Sequence, residues 1–131
     1  MAMFDQTDAT SILAAILNNT AYTTVTGTHL RLGTNAPTAT SAMTELGGGT
    51  GYTTGGSSIS WNAVSAAATS NSGTVSWTNT GSNWTLVGLE IWDIAGTPLR
   101  HFFGTWTTQP ITVATGNTFS VAPAGITVAL A

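Results

Sequence analysis

Few residues in this chain could carry acid–base chemistry. Its 131 residues include five Asp/Glu, two Arg, two His and no Cys. Asp93 and His101 flank one predicted hairpin and could face each other, as a general acid–base pair would. Polar residues at a hairpin end are the commoner explanation, and the sequence has no Gly-x-Ser-x-Gly nucleophile motif. We therefore expect no enzyme and no catalytic residue.

The sequence also has no clear motif for binding a metal ion or a phosphate group. His29 and His101 stand in no His-x-His or His-Glu-x-x-His context, and Asp5 and Asp8 lack the other oxygen ligands of a calcium loop. Solvated or helix-capping carboxylates are the expected roles of these two Asp residues. The Gly47–Gly51 run lacks the Lys of a phosphate-binding loop, so it indicates a turn with positive φ angles. No metal and no cofactor is predicted.

The five tryptophans are the most informative side chains. Trp61, Trp77 and Trp84 lie in alternating strand patterns, which favours places in a core. Trp92 and Trp106 each share a strand face with polar or charged neighbours. These two are candidates for a subunit contact or for a face that stacks on sugar rings, so a glycan-binding module stays open as a function.

Charge excludes several classes of partner. Only about 5% of the residues are charged and the formal net charge is −3, against roughly 25% charged in ordinary domains. Two arginines give no basis for binding nucleic acid or anionic lipid. The longest apolar run, residues 12–17, is too short to cross a membrane, and no signal peptide is visible. Hydroxyl and amide side chains supply the polarity, which suits a subunit packed against neighbours.

One short amphipathic helix is predicted over residues 8–18, with Thr7 or Asp8 as its cap and Asn18-Asn19 as its end. Its apolar residues recur at helical spacing. A helix this short does not persist alone in water, so we expect it to dock on this domain or on a neighbour. Its candidate contact residues are Ile12, Leu13, Ile16 and Leu17.

The rest of the chain predicts strands. We expect a pair over 21–26 and 28–32, a long loop over 33–56, strands over 57–67 and 73–79, and a turn at 80–83. The most clearly marked strand is 84–93, apolar on both faces, followed by 99–106, 111–113, 118–121 and 125–130. Many short strands with frequent turns indicate an all-β domain, a β-sandwich or jelly roll. Residues 1–20 form an N-terminal arm, and residues 21–131 form one domain.

This layout resembles a family of small tailed-bacteriophage virion proteins, which includes head-decoration, minor tail and tail-fibre-like proteins. The residues that carry the resemblance are 30–38, 47–52, 73–77, 84–94, 105–111, 113–119 and 125–130. The resemblance implies a virion structural subunit, a homo-oligomer and specifically a trimer, bound to the capsid or the tail. It implies no catalytic residue.

A compact chain without repeats or a coiled-coil stem favours a decoration protein on the outer capsid shell. The N-terminal helix and the 33–56 loop would then contact the major capsid protein, with Trp92 and Trp106 as further contact candidates. A minor tail or tail-fibre component, bound to tail proteins, is the alternative.

Overall fold

The structure, a computed structural model, describes residues 3–22, 25 and 27–130. Within these residues lie one helix and eleven strands, which confirms the predicted all-β domain with a short N-terminal helix. In chain order the elements are β1 (Met3–Phe4), α1 (Gln6–Leu17), β2 (Thr28–Gly33), β3 (Ser57–Ile59), β4 (Ala68–Ser70), β5 (Val75–Thr78), β6 (Trp84–Leu86), β7 (Gly88–Asp93), β8 (Arg100–Thr105), β9 (Ile111–Val113), β10 (Thr118–Val121) and β11 (Thr127–Ala129).

Five antiparallel strands form the main sheet, in the order β1-β8-β7-β2-β3. The register of β2 and β7 places Leu30 opposite Ile91 and Leu32 opposite Leu89. Because side chains alternate along a strand, these four share one face of the sheet. Each is at most 6% exposed, so this face forms one side of the hydrophobic core.

Three two-stranded sheets, β10-β5, β11-β4 and β6-β9, supply the other side. Trp77, Trp84 and Val128 belong to the same buried apolar cluster as the main sheet. Two-stranded sheets are marginal alone in water, so these pairs depend on this shared core. The prediction of core positions is confirmed for Trp77 and Trp84, whereas Trp61 is half buried.

The opposite face of the main sheet carries buried charge, and residues 38–43 of the predicted 33–56 loop lie against it. Glu90 lies opposite Arg31 and Phe103 on the neighbouring strands. The Met43 N–H donates to Glu90 Oε1 over 2.8 Å, and the Leu46 N–H donates to the carbonyl of Leu32 over 2.8 Å. The first part of the loop thus covers buried charge, whereas Leu46 and Tyr52 of the same loop belong to the hydrophobic core.

The helix begins two residues earlier than predicted. Asp5, rather than Thr7 or Asp8, is its cap, because the Asp5 carboxylate accepts a 2.9 Å hydrogen bond from the Thr7 N–H. The expectation of a solvated or capping Asp8 is wrong, since that side chain is buried against His101. Asn18 ends the helix, as predicted.

The predicted strand 84–93 is interrupted at Val87. The chain passes there from β6, which pairs with β9, to β7, which pairs with β2 and β8. Gly88 packs against the carbonyl of Asn35 and the ring of Pro37, and a Cβ would overlap both. The two halves of the predicted strand therefore belong to different sheets.

Other strand predictions need correction. The predicted strand 57–67 ends at Ile59, and β5 pairs with β10. In the predicted strand 21–26, residues 23, 24 and 26 lie outside the described residues, and 21, 22 and 25 are not in a strand. The described partners of β2 are β3 and β7.

Candidate functional site

Arg100, the first residue of β8, is the centre of a buried charged cluster. Its Nε and Nη2 atoms donate to Asp5 Oδ2 over 2.8 and 2.6 Å, and its Nη1 donates to Glu90 Oε1 over 2.8 Å. The remaining guanidinium hydrogens reach the carbonyls of Thr38, Ala39 and Ser41. One side chain thus joins the helix cap, the centre of the sheet and the 33–56 loop.

The charges in this cluster shift each other's titration. Burial by itself would raise the pKa of Asp5, but the Thr7 N–H and the Arg100 guanidinium hold that pKa below its usual value. Burial by itself would lower the pKa of Arg100, yet Glu90 and Asp5 raise it. Both groups are therefore in their charged forms near neutral pH.

His101, the next residue, lies between two carboxylates. Its Nδ1 is 2.5 Å from Asp8 Oδ2 and its Nε2 is 3.1 Å from Asp93 Oδ2. Asp93 also accepts hydrogen bonds from the N–H groups of Ala95 and Leu99. Burial would raise the pKa of Asp93, but the Leu99 N–H and His101 hold it below its usual value.

The structure brings Asp93 and His101 together, as their places at one hairpin suggested. They line a cleft of about 300 Å³ with Tyr22, Val25 and Leu99. Both imidazole nitrogens face carboxylates, and the nearby Ser11 hydroxyl donates to the Thr7 carbonyl instead of to His101. This arrangement holds α1 on the sheet and offers no activated nucleophile among the described residues.

A metal ion finds no matching ligand set here. Asp8 and Asp93 contact opposite nitrogens of the same ring, so their oxygens do not converge on one point. Among the described residues, no group of three His, Asp or Glu side chains is placed to hold a metal ion. In the same part of the chain, no helix is long and apolar enough to cross a membrane.

Trp92 and Trp106, the predicted contact tryptophans, are both half buried. The Arg31 guanidinium lies 4.1 Å from the centre of the Trp92 ring, and the Trp92 Nε1–H donates to Glu90 Oε2. Trp106 meets Phe119 edge-on, with ring centres 5.2 Å apart. These two side chains lie in separate packing environments, and Arg31 already covers one ring face.

Helix α1 presents the most exposed apolar surface near these clusters. Asp8 is the buried residue of α1, and Ile12 and Ala15 on the same face are half buried. On the outward side, Leu13 is 57% exposed, Ile16 72% and Leu17 74%. We call the exposed residues Leu13, Ile16 and Leu17 the α1 stripe. Three of the four predicted helix contacts are thus free to meet a partner, while Ile12 faces the domain.

A second apolar groove, of about 120 Å³, lies between β8 and the β4-β11 pair. Its lining includes Phe4, Phe102, Val64 and Leu130. Val64 is 73% exposed and Leu130 60%. The Phe4 and Phe102 rings lie 4.8 Å apart, which fixes β1 at the sheet edge beside this groove.

The exposed surface carries almost no charge. All seven Asp, Glu and Arg residues are in the described part of the chain. Five are buried around Arg100 and His101, and the other two, Arg31 and Glu45, form a 3.7 Å pair with each side chain 19% exposed. The five buried residues are four carboxylates and one arginine, and the charges of the Arg31–Glu45 pair cancel. The formal net charge of −3 therefore comes from the buried residues. The exposed surface of the described residues therefore consists mainly of hydroxyl, amide and apolar groups.

Comparison with known families identifies the family of this chain. The family model described as podophage GP4 fiber I protein gp80 matches residues 3–129. The chain belongs to this family. It is therefore a phage virion structural protein, as the resemblance implied, and the family's description names a fibre. No curated protein matches the sequence.

Sequence reasoning missed Arg100, Glu90 and Asp8 as organising residues of this region. Glu90 stands in an apolar strand pattern, and a charge inside such a pattern is a sign of buried pairing. Arg100 is also a charged residue close to apolar ones, since Leu99 precedes it and Phe102 and Phe103 follow His101. Their partners are 10 to 95 residues away in the sequence, so the pairing itself follows from the fold.

Proposed function

We propose that this chain is a structural component of the tail fibre of a podophage virion. The match of residues 3–129 to a fibre family carries the proposal. It favours the alternative that the sequence left open over the decoration of the outer capsid. The compactness that first suggested a decoration protein is equally compatible with one module of a larger fibre assembly.

The role is structural and non-enzymatic. The Asp and His side chains that could transfer protons near α1 are engaged in ion pairs and backbone hydrogen bonds. The neutral surface also supports a subunit role, because it brings no like charges together when copies or neighbouring proteins pack closely. Its partners are other tail proteins and further copies of this chain.

Immunogold electron microscopy of intact virions tests the location. An antibody against this chain should label the tail, and pre-incubation of the antibody with purified chain should remove the label. Gold distributed over the head would instead identify a capsid decoration protein and overturn the tail proposal. Particles that carry the chain by immunoblot but label at neither place would contradict an exposed fibre position.

A further inference from the structure

The β1–α1 segment, residues 3–17, is attached to the domain mainly through charge. None of its described residues belongs to the buried apolar cluster, and the α1 stripe is exposed. Phe4, which packs on Phe102, and Ile12 are only half buried. The buried side chains that the structure describes in this segment are two carboxylates, those of Asp5 and Asp8.

These two carboxylates are surplus acids in the clusters that they join. If the segment leaves, Arg100 still has the carboxylate of Glu90, 2.8 Å from its Nη1. His101 likewise still has the carboxylate of Asp93, 3.1 Å from its Nε2. A buried charge is most costly when it loses its last partner of opposite charge. Detachment of the segment therefore leaves each remaining buried acid with a basic side chain.

The backbone contacts of the segment are also few. The two residues of β1 pair with β8, the Asp5 N–H donates to the His101 carbonyl over 2.9 Å, and the Gln6 N–H donates to the Ala39 carbonyl over 3.3 Å. Regions with few buried apolar contacts open locally at a lower free energy than the core. A twelve-residue helix is marginal by itself in water, so α1 should unfold once it is detached.

Acid weakens this attachment. Burial by itself would raise the pKa of Asp5, but the Thr7 N–H and Arg100 hold that pKa below its usual value. The contribution of Asp5 is therefore complete above the value of about 3.9 for a free Asp side chain. It is lost as the pH falls through the lower pKa of the attached state.

Other titratable or charged groups face this contact from α1, from the segment after it, from β7 and from β8. They are Asp8, Tyr22, Glu90, Asp93, Arg100 and His101. Burial and the neighbouring Asp8 carboxylate raise the pKa of Tyr22, so this phenol stays neutral in acid. The pKa of Arg100 is raised by Glu90 and Asp5 in spite of burial, so its positive charge also persists.

From these contacts we propose that the β1–α1 segment is an acid-releasable unit, which detaches and loses its helix while the β-sheet domain of residues 28–129 stays folded. Release frees the edge of β8 at Phe102 and Phe103, where β1 is paired. A free strand edge is a surface on which another strand can pair. This inference goes beyond the proposed function and does not depend on where in the virion the chain lies.

An acid titration of the full chain followed by NMR tests the proposal, because backbone amide signals report on each element separately. We expect the native signals of residues 6–17 to lose more than about half their intensity at a pH where those of β2 and β7 persist. The indole signals of Trp77 and Trp84 report on the buried core, and they should persist with β2 and β7.

Substitution of the surplus acids tests the same attachment at neutral pH. Asp5→Asn should speed hydrogen exchange of the α1 amides at least about tenfold, with a smaller change in β2 and β7, because a hydrogen-bonded charge pair is lost. Asp8→Asn should act in the same direction. Glu45→Gln is the matched control: Glu45 is also an acid paired with an arginine, but it lies outside the segment, so exchange in α1 should not change.

Four results would overturn the proposal. In the first, the native signals of α1, β2 and β7 disappear at the same pH. In the second, neither Asp substitution speeds exchange in α1, and in the third, Glu45→Gln speeds it as much as they do. In the fourth, both Asp variants fail to fold, which would make the segment part of the global folding unit. Gold labelling away from the tail would refute the proposed location and leave these results unaffected.

Discussion

At the residue scale, Arg100 connects the buried charged cluster, because its guanidinium donates to Asp5, to Glu90 and to three backbone carbonyls. Replacing Arg100 by Leu should lower the free energy of unfolding by about 3–5 kcal/mol, because Asp5 and Glu90 would stay buried without their partner. Urea denaturation followed by tryptophan fluorescence measures this loss. The same change at Arg31 is the control: its ion pair with Glu45 is longer, at 3.7 Å, and we expect a loss of about 1 kcal/mol. Equal losses would contradict a central role for Arg100.

The lowered pKa values of Asp5 and Asp93 predict acid sensitivity. Their folded-state pKa values lie below those of the unfolded chain, so their stabilisation is complete above the unfolded value of about 3.9. It is lost as the pH falls through the lower folded values. The urea midpoint should fall below about pH 4. Asp5→Asn should be less stable at neutral pH and show a smaller acid-induced loss. An unchanged acid profile in that variant would exclude Asp5 as a source.

Sequence proximity decides which of these residue contacts could be predicted. Asp93 and His101 flank one short connection, and their contact follows from a hairpin. Asp5 and Arg100 are 95 residues apart, and no local pattern indicates that they meet. The buried position of Asp8 was missed for the same reason, because its partner His101 is brought to it only when β1 pairs with β8.

At the element scale, the 33–56 loop depends on glycines with different demands. Gly51 has a φ of +86°, and a Cβ there would overlap the Thr78 carbonyl. Gly49 has a φ of +91° but open space around it. Gly49→Ala should cost about 1–2 kcal/mol of stability for the left-handed backbone alone. Gly51→Ala should cost about 1–3 kcal/mol more, because the loop must also shift. Thermal unfolding of both variants compares them, and equal costs would show that the Thr78 contact yields freely.

Local turn chemistry explains which elements the sequence predicts well. The strands at 111–113 and 118–121 match β9 and β10, because the Thr115-Gly116-Asn117 turn marks the boundary between them and Gly116 has a φ of +85°. The pairing of β5 with β10 could not be read in this way, since about forty residues separate the two strands. The break at Val87 could not be predicted either, because it arises where β6 pairs with β9 while β7 pairs with β2 and β8.

At the scale of the whole molecule, five charged residues are buried and two form a partly exposed pair, and this placement predicts how stability responds to salt. Salt screens interactions between exposed charges, whereas buried pairs are screened much less. The free energy of unfolding should therefore change by less than about 1 kcal/mol between roughly 0.05 and 0.5 M NaCl. Urea denaturation at both ionic strengths measures it.

The Arg31→Leu variant separates the two kinds of charge. Its lost pair with Glu45 is the one that salt reaches, so the difference in unfolding free energy between this variant and the wild type should shrink as salt rises. A wild-type stability that falls steeply with added salt would contradict the burial of the clusters around Arg100 and His101, because they hold five of the seven charged side chains. The same placement of charge makes one combined prediction: acid destabilises the subunit, while salt leaves its stability nearly unchanged.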